Sequence, residues 1–221
     1  PRSASLEAGR AREACRTPPP VHARAVYFSG FYPMHLALLV VGENPLPIAW
    51  WTPISKEPFR FLLAMDRRNW SLGLLRETRE AALHFFDFAD AERVVRAGYA
   101  SGARVDKATR LGLELRPAER LARTRIVAGA RCAFELTVVR ELEEPEGDHV
   151  PFVCDVVHVH RGERVANAEP ILFLGFHDFA TLGARSRISP PVRGRRRSRR
   201  RARGEAPPGG TAPPAGESPA D

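Results

Sequence analysis

The pattern of apolar and polar positions along the chain predicts a mainly β protein. The longest apolar run, at residues 35–41 (HLALLVV), is typical of a buried strand, and the residues from Gly42 to Pro45 that follow it favour a turn. A shorter apolar run at residues 48–51 ends at Thr52 and Pro53. Comparable runs predict further strands at residues 59–65, 82–88, 131–140, 150–160 and 170–174.

Two segments have the features of short helices. Asn69 or Ser71 offers a capping side chain for a helix that runs to about Glu80. Residues 91–99 predict a second helix, which Ser101-Gly102 ends.

The order of these elements indicates the fold class. An acidic turn at residues 143–148 joins the strands 131–140 and 150–160, which predicts a long antiparallel hairpin. Seven or so strands with two short helices between them do not fit a doubly wound sheet. They favour a closed antiparallel β-barrel with short helical insertions.

Composition divides the chain into three parts. Residues 1–20 are polar and end in three prolines, which predicts a disordered leader, and residues 21–183 carry the predicted strands and form the expected domain. Residues 184–221 consist largely of Arg, Pro, Gly and Ser and predict a disordered tail. The formal net charge is +8, and ten arginines between residues 185 and 203 account for most of it. Binding to nucleic acid is therefore expected, if at all, only through the 185–203 segment.

Cysteines, histidines and hydropathy exclude several further classes of protein. Cys132 and Cys154 lie within apolar runs, so free thiols in a reducing cytoplasm are expected. No signal peptide is evident, and no apolar stretch reaches the ~20 residues that span a bilayer, so no membrane segment is expected. His158 and His160 share one face of a strand without a third ligand, so no metal site is predicted.

Residues 44–55 (NPLPIAWWTPIS) contain two adjacent tryptophans beside hydroxyl residues. A strand directs Trp50 and Trp51 to opposite faces, one toward the core and one toward a groove. A flat aromatic ligand would use such an apolar wall with hydroxyls and backbone amides at its edge. The alternative is that both tryptophans belong to the core.

Two later segments offer partners for a phosphate. In residues 66–71 (DRRNWS), Arg68, Asn69 and Ser71 cluster where helix amides point outward, although a capped helix with solvated arginines would give the same pattern. Residues 101–107 (SGARVDK) combine a glycine turn with Ser101 and Lys107, one of two lysines in the chain. The alternative here is a helix end followed by surface charge.

Taken in order, these segments resemble the flavin reductase-like family of FMN-binding split barrels, which includes flavoredoxins and the reductase components of two-component monooxygenases. The resemblance covers about Val21 to Gly183. The matched positions are Asn44, Ala49, Trp50, Trp51, Thr52, Pro53, Ile54, Ser55, Pro58, Arg68, Asn69, Ser71, Glu77, Thr78, Ser101, Gly102, Asp106, Lys107, Gly112, Leu113, Gly147, Asp148, His149, Leu174, Gly175, Leu182 and Gly183.

The resemblance implies a homodimer with FMN bound non-covalently near the subunit interface, and it assigns roles to particular residues. His149 is expected where the nicotinamide or a second flavin approaches. The implied cofactor-binding residues are Thr52, Ser55 and the backbone of Ala49, Trp50 and Trp51 for the isoalloxazine and ribityl chain, Arg68, Asn69, Ser71 and Lys107 for the phosphate, and Asn44 and Ser101 within the same motifs.

The implied function is hydride transfer from NAD(P)H to flavin, with the protein placing the flavin N5 within reach of the nicotinamide C4. A monooxygenase that receives the reduced flavin is the expected partner. Two alternatives stay open: an FMN-binding electron carrier or sensor without NAD(P)H activity, and a polyanion-binding protein that acts through the arginine-rich tail.

Overall fold

The computed structural model describes residues 32–142, 146–162, 169–175 and 177–183. The predicted leader at residues 1–20 and the predicted tail at residues 184–221 lie outside the described residues.

The described residues form twelve strands and three α-helices. The strands are β1 Met34–His35, β2 Ala37–Val41, β3 Asn44–Ile48, β4 Trp51–Lys56, β5 Phe59–Asp66, β6 Glu80–Phe85, β7 Leu115–Pro117, β8 Arg125–Val127, β9 Cys132–Glu141, β10 His149–Arg161, β11 Leu172–Gly175 and β12 Asp178–Ala180. The helices are α1 Trp70–Thr78, α2 Ala91–Arg96 and α3 Lys107–Arg110, with a 3₁₀ turn at Phe88–Asp90.

Seven strands form one antiparallel sheet in the order β3-β2-β6-β9-β10-β5-β4. The predicted long hairpin is confirmed, because β9 pairs with β10 over most of their length. Two smaller sheets, β1-β11-β12 and β7-β8, complete the strands of the described part.

The large sheet is curled but open, so the full closure expected from the sequence is not found. Its two edges are β3 and β4, and no pairing joins them among the described residues. Only Ala49 and Trp50 connect these strands, so the Cα atoms of Ile48 and Trp51 lie within about 11 Å of each other. The edges therefore approach at one end of a split.

Prolines limit further pairing at both edges of the split. Pro45 and Pro47 lie in β3 and Pro53 lies in β4. Proline has no backbone N–H, so each one removes a donor that a further ladder would need. Both edges are thus poor templates for pairing.

The core has two layers that meet at β2. Leu39 faces the interior of the curled sheet, whereas Leu38 and Val40 pack on the opposite side with Val94 of α2 and Ala108 of α3. All five residues of β2 are buried, as the run at residues 35–41 predicted. This second layer fixes α2 and α3 against the outer face of the sheet.

Several element boundaries differ from those predicted. Asn44 and Pro45 begin β3 rather than ending a turn, because the turn needs only Gly42 and Glu43, with Gly42 at φ +62°. The segment from Thr52 to Lys56 is an edge strand and not a break. The predicted helix at residues 91–99 ends at Arg96, and α3 was not predicted.

Three side chains of β6 and β9 accept hydrogen bonds from backbone amides of residues 119–127, a segment that ends in β8. The Glu135 carboxylate accepts from the amides of residues 119 and 120, both at 2.7 Å, and that of Glu80 accepts from the amides of residues 122, 123 and 124 at 2.7–3.1 Å. His84 Nε2 accepts from the Val127 amide at 2.9 Å. This segment needs no ligand to satisfy these groups.

Candidate functional site

A cleft of about 480 Å³ lies between the start of α1 and the loop that joins α2 to α3. It brings together four of the residues predicted to bind a cofactor: Arg68, Asn69, Ser101 and Lys107. None of the described residues that line it is acidic, so we name it the cationic cleft. Its wall also includes Leu46, Pro47, Trp70, Tyr99 and Gly102.

Lys107 is the most buried charged residue of the cationic cleft, with 6% of its surface exposed. Its Nζ donates to the carbonyl oxygens of Pro45 and Ala97, both at 2.9 Å. An ammonium group has three donors, and no carboxylate pairs with this one among the described residues. Burial lowers the pKa of Lys107. The group therefore lacks the opposite charge that a buried cation needs.

The start of α1 adds further groups that favour an anion. Asn69 is the N-cap, and its Oδ1 accepts from the Ser71 amide at 3.0 Å, which confirms the predicted cap. Arg68 is 88% exposed and forms a two-point ion pair with Asp66, at 2.7 and 3.1 Å. The side-chain hydrogen bond from Arg68 lowers the pKa of Asp66 to about 2. The helix start and this guanidinium lie beside the same cleft.

Asn44 and Ser71 are buried behind the cationic cleft rather than lining it. Asn44 Nδ2 donates to the Ser71 hydroxyl at 2.5 Å, and this bond ties the first residue of β3 to the first turn of α1. Gly102 approaches the pair so closely that a Cβ there would lie 2.0 Å from Asn44 Oδ1 and 2.7 Å from the Trp70 ring. The three residues therefore fix the loop against the helix start.

An apolar cleft of about 280 Å³ adjoins the cationic cleft. The two share the lining residues Pro47, Gly98 and Tyr99, so a charged cleft and an apolar cleft lie side by side. Ala49, whose backbone the family resemblance assigns to the isoalloxazine, lines the apolar cleft. The other lining residues are Leu36, Val95, Phe173, His177 and Phe179.

The two tryptophans face different environments, as predicted, but neither lines these clefts. Trp51 packs on Phe61 and Phe85 in the core, and its Nε1 donates to the His35 carbonyl at 2.9 Å. Trp50 is 36% exposed. The aromatic rings in the apolar cleft come instead from Tyr99, Phe173 and Phe179.

Thr52 and Ser55 lie on the edge strand β4, away from the residues that line the two clefts. Thr52 is exposed, and its hydroxyl makes a long contact of 3.4 Å with the Pro53 carbonyl. Ser55 is half-buried opposite Arg60 of β5. Neither hydroxyl lines the cleft that holds Arg68, Asn69, Ser101 and Lys107.

His149 begins β10 and stacks on Trp50, with ring centroids 4.4 Å apart. Its Nδ1 lies 2.7 Å from a carboxylate oxygen of Asp148, and that hydrogen bond lowers the pKa of Asp148. His149 is also opposite Asp66 in the ladder between β10 and β5. Through Asp66 and Arg68 it is connected to the rim of the cationic cleft, although it does not line the cleft itself.

Sequence patterns did not indicate that Trp70, Tyr99 or Phe173 line these clefts. Trp70 and Tyr99, which line the cationic cleft, are 43% and 66% exposed. Phe173 comes from β11, more than 60 positions beyond Lys107. Pairing of β11 with β1 brings it to the cleft, and that pairing cannot be inferred from local pattern.

Within the described ranges, no three His, Cys, Asp or Glu side chains lie together as a metal ion would require. None of the helices in the described part is long and apolar enough to cross a membrane.

Comparison with known proteins identifies the family. Residues 29–182 match the flavin reductase like domain. The FMN-binding protein of Thermus thermophilus has a TM-score of 0.67 at 24% identity, over 79% of this chain and 98% of that one. Component B of nitrilotriacetate monooxygenase from Bacillus cereus has a TM-score of 0.68 at 16% identity, over 78% of this chain and 97% of that one. An uncharacterized protein of Archaeoglobus fulgidus is 26% identical over 155 residues, which are 69% of this chain and 86% of the relative. The chain belongs to the flavin reductase-like domain family, and it has the mainly β split-barrel fold of these structures.

Proposed function

We propose that this chain binds FMN non-covalently and transfers hydride from NAD(P)H to flavin. The observation that carries the proposal is the nearly buried ammonium of Lys107, which has two carbonyl partners and no carboxylate among the described residues. A phosphate in the cationic cleft would supply the missing charge through charge-assisted hydrogen bonds. Membership of the flavin reductase-like family supports the same function.

The two adjacent clefts suit FMN in polarity and in size. Ligand sites commonly measure about 300 to 1,000 Å³, and the cationic cleft alone has about 480 Å³. In this proposal the phosphate is bound by Arg68, Asn69, Ser101 and Lys107. The flat ring extends past Pro47 toward Ala49 and the apolar cleft.

The other residues predicted to bind the cofactor do not line the phosphate end of the proposed site. Asn44 and Ser71 bind each other, so we assign them to holding the helix start beside Lys107 rather than to direct phosphate contact. The split between β3 and β4 begins directly after Ala49. An isoalloxazine ring that reaches this split would contact the backbone of Trp50 and Trp51. We retain Thr52 and Ser55 as cofactor contacts on the β4 edge of the split.

FMN, when bound, supplies the hydride-accepting chemistry, and the side chains supply binding and orientation. The cationic cleft anchors one end of the cofactor, and the apolar cleft restricts water at the other. We assign approach of the nicotinamide to the surface formed by Trp50 and His149, because the exposed indole carries a stacked imidazole held by Asp148. His149 in this role positions the nicotinamide for hydride transfer.

A homodimer and a monooxygenase that receives reduced flavin belong to the same proposal. Ile54 and Phe59, which are 47% and 37% exposed beside the open edge, offer an apolar surface for a second copy. The fold shared with a monooxygenase component supports the second partner. The free thiols of Cys132 and Cys154 agree with a reducing cytoplasm.

The test is a fluorescence titration of the purified full chain with FMN, followed by NADH and NADPH oxidation with excess FMN. We expect saturable quenching of flavin fluorescence and turnover with at least one nucleotide. Absence of quenching would contradict the whole proposal. Quenching without oxidation of either nucleotide would reject the reductase and leave an electron carrier or sensor.

A further inference from the structure

Arg68 lines the cationic cleft, and the carboxylate of Asp66 holds its guanidinium at the rim. Arg68 Nη2 lies 2.7 Å from Asp66 Oδ2, and its Nε lies 3.1 Å from Oδ1. A phosphate in the cleft would need the same guanidinium N–H groups. Asp66 and a bound phosphate therefore compete for one cation.

The guanidinium can exchange its partner at little cost in free energy, and the exchange leaves Asp66 in place. The Arg68 side chain is 88% exposed, and an ion pair so open to water contributes little to stability. A phosphate can accept two parallel, charge-assisted hydrogen bonds from a guanidinium. The Asp66 Oδ1 also accepts from the Arg68 amide at 2.8 Å. This backbone bond does not involve the guanidinium, so it keeps the carboxylate where it is when the side chain moves away.

Asp66 lies opposite a second titratable group, the imidazole of His149. The two residues are direct partners in the ladder between β5 and β10. Their side chains therefore lie on the same face of the sheet, with Cβ atoms about 4.5 to 5.5 Å apart. The pKa of Asp66 is lowered mainly by the hydrogen bond from Arg68, and the charge of His149 lowers it further. Asp66 thus interacts with both the arginine of the cleft and the histidine outside it.

Three further charged groups lie near His149. Asp148 Oδ1 is 2.7 Å from the His149 Nδ1. Arg67 stays with the loop before β10, because its Nε donates to the Gly147 carbonyl at 2.6 Å and its amide donates to the Asp148 carbonyl at 2.9 Å. The third group is Arg68. Of these described groups, Arg68 alone also lines the cationic cleft, so a phosphate there can change its position directly.

We propose that Asp66 is a positioning residue that links the cationic cleft to His149. The inference rests on the proposed function for the phosphate in the cleft and for the nicotinamide at His149. A phosphate draws the Arg68 guanidinium away from Asp66, and the carboxylate that has lost this cation then favours the protonated form of the imidazole opposite it.

The link makes the two binding events cooperative. A positively charged imidazole on the surface formed by Trp50 and His149 attracts the phosphates of an approaching nicotinamide nucleotide. Binding of the cofactor phosphate therefore prepares this surface for the second substrate. Because coupling between two sites is reciprocal, protonation of His149 also strengthens phosphate binding.

The first test measures the competition between Asp66 and phosphate. The dissociation constant for FMN is compared in the wild-type chain, in Asp66→Asn and in the matched control Asp148→Asn. Asparagine keeps an acceptor for the Arg68 amide but removes the charge that competes for the guanidinium. We expect Asp66→Asn to tighten FMN binding about 3- to 10-fold. The control removes the same charge from a residue that makes no hydrogen bond to Arg68, and it should change the affinity less than about twofold. Equal effects in the two variants, or no tightening in Asp66→Asn, would overturn the competition.

The second test follows the His149 imidazole by NMR against pH, with its resonance assigned by its loss in His149→Gln. The titration is recorded without ligand, with saturating FMN, and with inorganic phosphate, which has no ring that could contact His149. In the wild type we expect either ligand to move the midpoint to higher pH by about 0.5 unit. In Asp66→Asn the movement caused by inorganic phosphate should fall to less than half.

The outcomes separate this inference from the proposed function. If FMN binds and neither ligand moves the midpoint, the link through Asp66 is overturned while the proposed function stands. An equal movement in the wild type and in Asp66→Asn would also overturn the link, because the phosphate charge would then act on His149 directly. If FMN does not bind but inorganic phosphate moves the midpoint through Asp66, the proposed function fails and the link stands. If FMN does not bind and inorganic phosphate leaves the midpoint unmoved, both fail.

Discussion

The segment from residue 119 to residue 127 and the cationic cleft both contain charged side chains withdrawn from solvent, but the carboxylates of the first have more hydrogen-bond partners within the protein. Glu80 and Glu135 accept five backbone N–H groups, and His160 Nε2 donates to Glu135 at 2.5 Å. Lys107, by contrast, has two carbonyl partners and no anion. A buried charged group whose hydrogen bonds are satisfied within the fold needs no ligand, whereas a buried cation without an opposite charge indicates where an anion would bind.

The largest expected effect is the loss of stability when the Glu135 carboxylate, which binds the segment at residues 119–127, is removed. Burial raises the pKa of Glu135, but hydrogen bonds from the Glu119 amide, His160 and the Arg120 amide outweigh it and leave the pKa below its usual value. Glu135→Ala removes a fully buried carboxylate and strands two amides. We expect the free energy of unfolding to fall by about 3 kcal/mol in urea titrations, with the affinity for FMN nearly unchanged. A loss below about 1 kcal/mol would contradict the role assigned to this carboxylate.

A smaller effect should follow pH through His84, which is fully buried. Its Nδ1 donates to the carbonyls of Leu38 and Ala82, and its Nε2 accepts from Val127, so the ring is neutral. Burial lowers its pKa to about 4. Because the unfolded chain binds a proton first, the contribution of His84 is present above about pH 6.5 and is lost as the pH falls toward 4.

At pH 5 this loss should reach about 2 kcal/mol relative to pH 8. The measurement is the free energy of unfolding against pH in the wild-type chain and in His84→Gln, which cannot titrate at this position. The wild type should show the steeper decline between pH 6.5 and 4. Parallel curves for the two proteins would mean that His84 is not the group responsible.

The smallest effect compares two glycines near the cationic cleft. A Cβ on Gly102 would collide with Asn44, so Gly102→Ala should displace the loop that carries Ser101 and weaken FMN binding by about 10-fold. Gly73 in α1 has open space around its Cβ position. Gly73→Ala should therefore leave binding unchanged and stabilise the chain by about 0.5 to 1 kcal/mol. Equal affinities for FMN in the two variants would separate the Gly102 loop from the site.

Much of the fold can be predicted from local sequence pattern, because buried strands appear in the sequence as apolar runs. The double-faced burial of β2, the β9–β10 hairpin and the Asn69 cap were predicted from apolar runs and from a capping residue. The strand β4 was not, since its pattern is mostly exposed and contains Pro53. Closure of the sheet was expected but not found, because strand count alone does not reveal what prolines do to an edge.

The candidate site also has one part that local motifs predicted and one part that depends on long-range strand pairing. The charged end was predicted, since Arg68, Asn69, Ser101 and Lys107 lie in short motifs whose residues fold close together. The apolar end was not, because Phe173 and Phe179 reach it through long-range pairing of β1, β11 and β12. The predicted tryptophan floor also required knowledge of where the chain crosses between sheet edges.

The most direct test of the unbalanced cation compares Lys107→Met with Lys56→Met, because these are the two lysines of the chain and Lys56 is exposed at the end of β4. The dissociation constant for FMN is measured by titration, and the free energy of unfolding is measured on the same samples. The account predicts that Lys107→Met weakens FMN binding by about 10- to 100-fold, with a stability change of about 1 kcal/mol, and that Lys56→Met changes neither. Equal affinity for FMN in both variants and the wild type would contradict it.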